Sequence, residues 1–363
     1  MIRHFGLDRQ YANLKDELLA ASHEALKDGV WVNGYFTARF ENWLQLKTKC
    51  EYAITVHSGT QALEIIARYL HEVTLSDADC NPHVRIPNLT YPATLNAFVN
   101  LSNANTQYGY DIEIVDTDKN GIMLPSQNTM IHGYNCYVGL YGAPTPDKLT
   151  SVDIVDGAQH WLIADGNVGA AMAISFDPTK NLPSSGNGGA IVTNDEDLYQ
   201  YAISFRNNGK DSTFYGPKPH DMYGSNSKMS EQDCAHLLVR SHYIDGWQQR
   251  RETIRYYYLD QFRDLPIRCL SREFEEHADQ KFVIEYTHRD TLHQYLLNSG
   301  IESKIHYEKT LSELGITKLY KRLDFLSAST MLSRRVISLP IYPELTDTEI
   351  EYIAWKIKKF FDK

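Results

Sequence analysis

From Glu51 to about Thr193 short runs of β-branched and apolar residues alternate with helical or loop segments, the pattern of a parallel sheet covered by helices. The runs are Tyr52–Val56, Val84–Pro87, Ile112–Asp116, Cys136–Leu140, Val152–Asp156, Ala170–Phe176 and Ala190–Thr193. They predict an α/β fold built on one large, mostly parallel, seven-stranded sheet. After the first run, Ala62, Leu63, Ile66, Ala67 and Leu70 recur at helical spacing, which predicts an amphipathic helix over Thr60–Leu70. That helix opens just after Ser58-Gly59, so its N-terminus lies beside the carboxyl end of a strand.

A long helical pattern from Ser230 to Phe262 is interrupted only at Gly246. We place a domain boundary there: residues 1–245 form a large α/β domain with an N-terminal arm and helix, and residues 246–363 a small C-terminal α+β domain. In the latter, Lys281–Tyr286, Lys304–Tyr307 and Val336–Ile341 read as strands. Asp290–Leu297, ended by Gly300, and Asp347–Phe361 read as helices. A length of 363 residues agrees with two domains at ~150 residues each. With 42% hydrophobic and 23% charged residues, the chain can bury a sizeable core, and long disordered tracts are excluded.

Charge narrows the partners. Thirty-six Lys and Arg against 46 Asp and Glu leave a net charge of −10, which opposes attraction to nucleic acid or anionic lipid. Neither is an expected partner. The longest apolar run, Val168 to Phe176, falls far short of the ~20 residues that span a bilayer. The first residues carry charge where a secretory signal needs its apolar stretch, so a cytoplasmic location is expected. The five cysteines, Cys50, Cys80, Cys136, Cys234 and Cys269, are widely spaced and odd in number. They fit neither a disulfide framework nor a zinc knuckle and read as buried thiols.

Gly186-Asn-Gly-Gly189 lacks the spacing of a dinucleotide fingerprint, and Gly209-Lys210 is followed by Asp211 where a phosphate loop needs Ser or Thr. There is no HExxH pair and no GxSxG elbow, so no metal site is expected and hydrolase readings fall away. What remains is one lysine. Lys180 stands between two apolar strand patterns, Ala171–Phe176 and Gly188–Thr193, where desolvation would lower its pKa and favour the neutral amine of Schiff-base chemistry. Asp156 ends another apolar run and could point a carboxylate into the same crevice at the strand ends. Singly, each feature has a plain reading: a turn aspartate, a loop lysine, a helix cap at Ser58-Gly59-Thr60. Together, a buried lysine, a carboxylate and a phosphate-ready helix start suit pyridoxal phosphate, as imine former, partner of the pyridine nitrogen and phosphate holder.

In order along the chain stand Phe40-Glu41 after Gly34, Ser58-Gly-Thr-Gln-Ala-Leu63, Pro87-Asn-Leu-Thr-Tyr-Pro-Ala-Thr94, Val115-Asp116, Leu140-Tyr-Gly142, Asp156-Gly-Ala-Gln159, Ser175-Phe176 with Lys180-Asn-Leu182, Gly188-Gly189, Gly224-Ser-Asn226, His306-Tyr307 and Ser338-Leu-Pro340. On these motifs the chain resembles, over nearly its whole length, the sugar aminotransferases of the DegT/DnrJ/EryC1/StrS group, with an aspartate-aminotransferase-like fold. The resemblance implies a pyridoxal 5'-phosphate (PLP/PMP) enzyme in which Lys180 forms the imine and shuttles the proton. It implies that Asp156 holds the pyridine nitrogen, Gln159 lies near the ring hydroxyl, and Tyr91 stacks on the ring. Gly59, Thr60 and Ser175 would bind the phosphate, with Asn226 reaching it from the neighbouring subunit of a homodimer. His306 and Tyr307 would bind substrate. The implied reaction moves an amino group from an amino acid, glutamate foremost, to a keto group of a nucleotide-linked deoxysugar. Lys180 favours this over the dehydration carried out by relatives with histidine at that place. A keto-cyclitol or other keto compound as acceptor, or a relative that binds cofactor or sugar without turnover, are the alternatives. Asn187, where the group has Glu, and Lys228, where it has Arg, depart from the pattern, the latter without arginine's bidentate fork.

Overall fold

The structure, a computed structural model, describes residues 1–78, 81–101, 109–124, 133–210, 220, 222–319, 321–322 and 326–362. The seven expected strands are present as β1 (Tyr52–Val56), β2 (His83–Pro87), β3 (Asp111–Val115), β4 (Gly133–Val138), β5 (Asp153–Asp156), β6 (Ala171–Ser175) and β7 (Gly189–Thr193). Four further strands follow: β8 (Arg268–Cys269), β9 (Phe282–Glu285), β10 (Lys321–Arg322) and β11 (Val336–Leu339). The helices are α1 (Leu7–Leu26), α2 (Tyr35–Thr48), α3 (Gly59–Ala78), α4 (Pro92–Val99), α5 (Glu196–Arg206), α6 (Glu231–Ser241), α7 (Ile244–Gln261), α8 (Arg289–Asn298), α9 (Ser327–Arg335) and α10 (Asp347–Phe361).

The large sheet runs β1-β7-β6-β5-β4-β2-β3, and the two-residue β10 adds an eighth strand at the β3 edge. β7 runs antiparallel to β1 and β6 on either side of it, and the other described pairings of this sheet are parallel. Every residue of β5, β6 and β7 is buried, as continuous apolar runs in a sheet covered on both faces require. One face packs Ile54, Val56 and Ile191 against Leu63, Ile66 and Leu70 of α3. The other packs Met172, Ile174 and Phe176 against Phe40 and Leu44 of α2 and Leu237 of α6. A smaller antiparallel sheet, β11-β9-β8, shares a separate apolar cluster with α7, α8 and α10 that includes Tyr258, Phe282, Leu292, Ile337 and Ile353.

Three expectations change. The helix after β1 runs eight residues past Leu70, to Ala78, and Thr74 Oγ1 secures the added turns by bonds to Leu70 O (2.9 Å) and Tyr134 Oη (2.8 Å). The Ser230–Phe262 pattern breaks at His242–Tyr243, not at Gly246, because Ile244 turns inward to 1% exposure and starts a new helix. Gly246 sits on that helix's open face. Lys304–Tyr307 is no strand: it makes one bridge, Lys304 with Ser338. Beyond it, side-chain bonds take the place of a ladder, His306 Nδ1 to Ser338 Oγ (2.8 Å) and the Tyr141 hydroxyl to the His306 carbonyl. Cys50, Cys136, Cys234 and Cys269 are buried free thiols, and Cys80 lies outside the described residues.

Candidate active site

The register brings one end of the sheet to a focus. Val56 and Ser175 both pair with Gly189, and Asp156 pairs with Val138 and Ala173, so the carboxyl ends of β1, β4, β5 and β6 meet the start of β7. A cavity of about 410 Å³ opens there, where ligand crevices of α/β sheets lie.

At its floor is the start of α3. Ser58 Oγ accepts from Gln61 N at 3.1 Å, while the N–H groups of Gly59 and Thr60 belong to the first turn and have no acceptor within the helix. A Cβ at Gly59 would stand 2.7 Å from Ser175 Cβ, and one at Gly189 would stand 2.3 Å from the carbonyl carbon of Ser58. Only glycine at both places lets the β1–α3 turn press against β6 and β7, which brings the Ser175 hydroxyl beside the helix start.

Asp156 ends β5 fully inside the protein. Thr94 Oγ1 donates to its Oδ2 at 2.8 Å, Ala158 N donates to Oδ1 at 3.2 Å, and Thr90 Oγ1 pairs with Thr94 Oγ1 at 2.9 Å. Burial pushes the carboxyl pKa up, against the pull of Thr94, Ala158 and the Lys180 charge. Lys180 lies on the connection between β6 and β7. Phe176 N donates to Gly188 O (2.8 Å) and Ser184 N to Phe176 O (2.7 Å), closing the loop at its base. Asp177 Oδ1 accepts from Thr179 N (2.9 Å), and Lys180 N donates to Asp177 O (2.9 Å). Burial pushes the Lys180 amine down, with Asp156 and Asp177 opposing.

The opposite wall comes from distant segments. Tyr91, at the start of α4, is 58% exposed, and its ring centroid lies 5.9 Å from that of Tyr307. Gln159 Oε1 accepts from Tyr141 N (2.8 Å), and its Nε2 donates to the Tyr307 hydroxyl (3.1 Å). Burial pushes the Tyr307 phenol up and the His306 imidazole down. Gly59, Thr60, Tyr91, Asp156, Gln159, Ser175, Lys180, His306 and Tyr307 thus line one cavity. Asn226 does not: it is exposed and bridged to Asn207 elsewhere on the surface.

Sequence reasoning gave no role to Thr94, which fixes Asp156, or to Phe5, Lys281 and Lys304, which line the same cavity. Lys281 carried a readable signal, a lysine opening an apolar strand. Phe5 had none, since nothing local in the N-terminal arm says which cavity it reaches. Among the described residues no cluster of His, Cys, Asp or Glu could hold a metal ion, and no helix is long and apolar enough to cross a membrane.

In sequence the chain is 23% identical to the "Pleiotropic regulatory protein" of Geobacillus stearothermophilus, over 98% of this chain and 97% of that protein. It is 26% identical to the dTDP-3-amino-3,6-dideoxy-alpha-D-galactopyranose transaminase of Aneurinibacillus thermoaerophilus, over 98% of both. In fold it is similar to S. venezuelae DesV, solved in complex with a ketimine intermediate, with a TM-score of 0.88 at 24% identity over 100% of this chain and 99% of that one. The sequence profile of one family matches residues 12–124 and 162–358, most of the chain. With that match and this cavity, the chain belongs to the DegT/DnrJ/EryC1/StrS aminotransferase family.

Proposed function

We propose that this aminotransferase uses pyridoxal 5'-phosphate to move an amino group from an amino acid, L-glutamate foremost, to a keto group of a nucleotide-linked deoxysugar. The observation that carries the reading is the meeting, in one cavity, of an amine with a lowered pKa, a buried carboxylate and a helix start with free N–H groups. The residues fit the cofactor. Among the described residues Asp156 makes no ion pair, and a protonated ring nitrogen would supply its missing cation. The Gly59 cradle, too tight for a Cβ, leaves backbone N–H groups open to a phosphate.

When bound, the cofactor supplies an aldehyde that condenses with amines and a ring that draws electrons from the attached carbon. Gly59, Thr60 and Ser175 bind its phosphate. Asp156, oriented by Thr94 and Ala158, keeps the proton on the ring nitrogen. Tyr91 packs on the ring, and Gln159, fixed between Tyr141 and Tyr307, binds the ring hydroxyl. Lys180, its amine's pKa lowered by burial, would hold the cofactor covalently and, once the donor's amine has displaced it and freed its own, would move the proton at the substrate carbon. His306 and Tyr307 orient the sugar.

The dTDP-sugar transaminase among the relatives supports the acceptor class. A homodimer with shared sites is part of the proposal: Asn226 is exposed and available to a second copy, and Trp31 and Tyr35 leave 61% and 63% of their surface uncovered. So is a division of the chain at residue 246, supported by the cluster that the small sheet forms with α7, α8 and α10, while Leu311 and β10 pack with the large sheet. The test is to add L-glutamate to the purified, cofactor-loaded protein and follow bleaching of the visible absorbance and release of 2-oxoglutarate. Mass spectrometry with a panel of keto sugars and keto-cyclitols then identifies the aminated product. A loaded protein that no amino acid bleaches would overturn the reading.

A further inference from the structure

The cavity contains a second buried amine that the chemistry above leaves unused. Lys281, immediately before β9, is 5% exposed and lines the same cavity as Lys180. Its Nζ lies 5.5 Å from the centroid of the Phe5 ring, a contact with the electron-rich face that is no substitute for a counter-charge. Among the described residues its amine has neither an ion-pair partner nor a hydrogen bond. Lys304, the third amine of the cavity, is by contrast paired with Glu302 at 2.7 Å. Burial and the positive charges of Lys180 and Arg251 push the Lys281 pKa down to about 7, and only Asp177 opposes them. A buried cation without a partner destabilises a fold unless an anion completes it. Here the open side of the amine is the reaction cavity, so the anion that completes it is a ligand.

We infer that Lys281 binds the α-carboxylate of the amino-acid donor. The argument rests on the transaminase reading. Lys180 must reach the carbon whose proton it moves, and in an amino acid the carboxylate is attached to that same carbon. A cation on the wall of the cavity that Lys180 also lines, its Nζ held over Phe5, is therefore placed for that carboxylate. In a keto sugar the carbons flanking the carbonyl bear hydrogens and hydroxyls, and the nucleotide phosphates stand several bonds away. A deoxysugar without a carboxylate has no anion to offer at this depth.

The experiment compares L-glutamate with its α-amide, L-isoglutamine, as donors for the wild-type protein, Lys281→Met and Lys281→Arg, following bleaching of the bound cofactor. The ratio of the two kcat/KM values cancels any effect of the substitution on Lys180 itself. The wild-type protein prefers glutamate by about 10- to 100-fold, Lys281→Met brings the ratio close to one, and Lys281→Arg keeps most of it. Calorimetric binding of α-methyl-L-glutamate, which has no α-hydrogen to lose, weakens by a similar factor in Lys281→Met. Full discrimination in Lys281→Met, or a loss that falls on the keto-sugar half of the cycle instead, would overturn the inference while leaving the transaminase intact. A wild-type protein that glutamate does not bleach takes down both.

Discussion

At the scale of single residues, the site works by placing charges where water cannot screen them. Lys180→Ala should abolish the cofactor's imine absorbance and all transamination while the thermal unfolding curve keeps its shape; turnover with the colour intact would assign the chemistry to another lysine. Asp156→Asn should still bind cofactor yet lose most of its rate, since an amide cannot hold the ring proton. Thr94→Val removes the bond at 2.8 Å to Asp156 Oδ2, and with it one of the forces holding that carboxyl ionised. A bond to a charged group contributes about 1.5–3 kcal/mol, so kcat should fall by about tenfold or more, and the denaturant midpoint should drop with it. Lys180 and Asp156 were legible because a charge at the end of an apolar run contradicts its surroundings. Thr94 was not, because a hydroxyl in a Pro-Ala-Thr turn reads as a helix start, and only tertiary structure shows which carboxylate it faces.

At the scale of elements, two contacts fix how the walls of the cavity meet. Glu231, at the start of α6, accepts from Gly34 N (2.9 Å), Phe36 N (2.7 Å) and Thr37 N (3.0 Å), capping α2 from a distant part of the chain. Glu231→Ala leaves those donors, Thr37 N fully buried and the other two partly so, without a partner and should destabilise the protein by about 2–3 kcal/mol, read as a lowered denaturant midpoint. Gly189→Ala drives a Cβ to 2.3 Å from the Ser58 backbone, which only movement of the α3 start can relieve. It should weaken cofactor binding as well as stability, by about 1–3 kcal/mol in the latter. The seven strands and the final helix were readable from period and composition, since burial on both faces demands continuous apolar runs. The break at His242–Tyr243 was not. Glycine on an open helix face disturbs nothing, whereas the inward turn of Ile244 depends on a neighbour that sequence does not name.

At the scale of the whole molecule, the ends of the chain are pinned to each other. Arg9 of α1 clamps Glu349 of α10 through its two terminal nitrogens, Nη1 and Nη2, at 2.7 and 2.6 Å, and holds its carboxyl down at about 2 against the opposing effect of burial. A depressed carboxyl stabilises the fold above its unfolded pKa of ~4.3, and the contribution disappears as pH falls toward 2. Because the pair is partly exposed, Arg9→Met should cost about 1 kcal/mol at pH 7 and almost nothing near pH 2, measured by urea unfolding at both. If the proposed homodimer shares its sites, mixing inactive Lys180→Ala with inactive Asn226→Asp should restore about a quarter of wild-type activity, because half the hybrids' sites are whole. No recovery on mixing would confine each site to one subunit. The connection carrying Lys180 leaves β6 and re-enters the sheet on the adjacent β7, stitched at its base by Phe176, Ser184 and Gly188. Pinned in this way on a stiff frame, the span leaves the amine chiefly the rotations of its own four-carbon stem. If Lys180 moves the proton as proposed, donor and acceptor must each carry their reacting atom to the same spot, and the enzyme would alternate between them by a swing of one leashed arm.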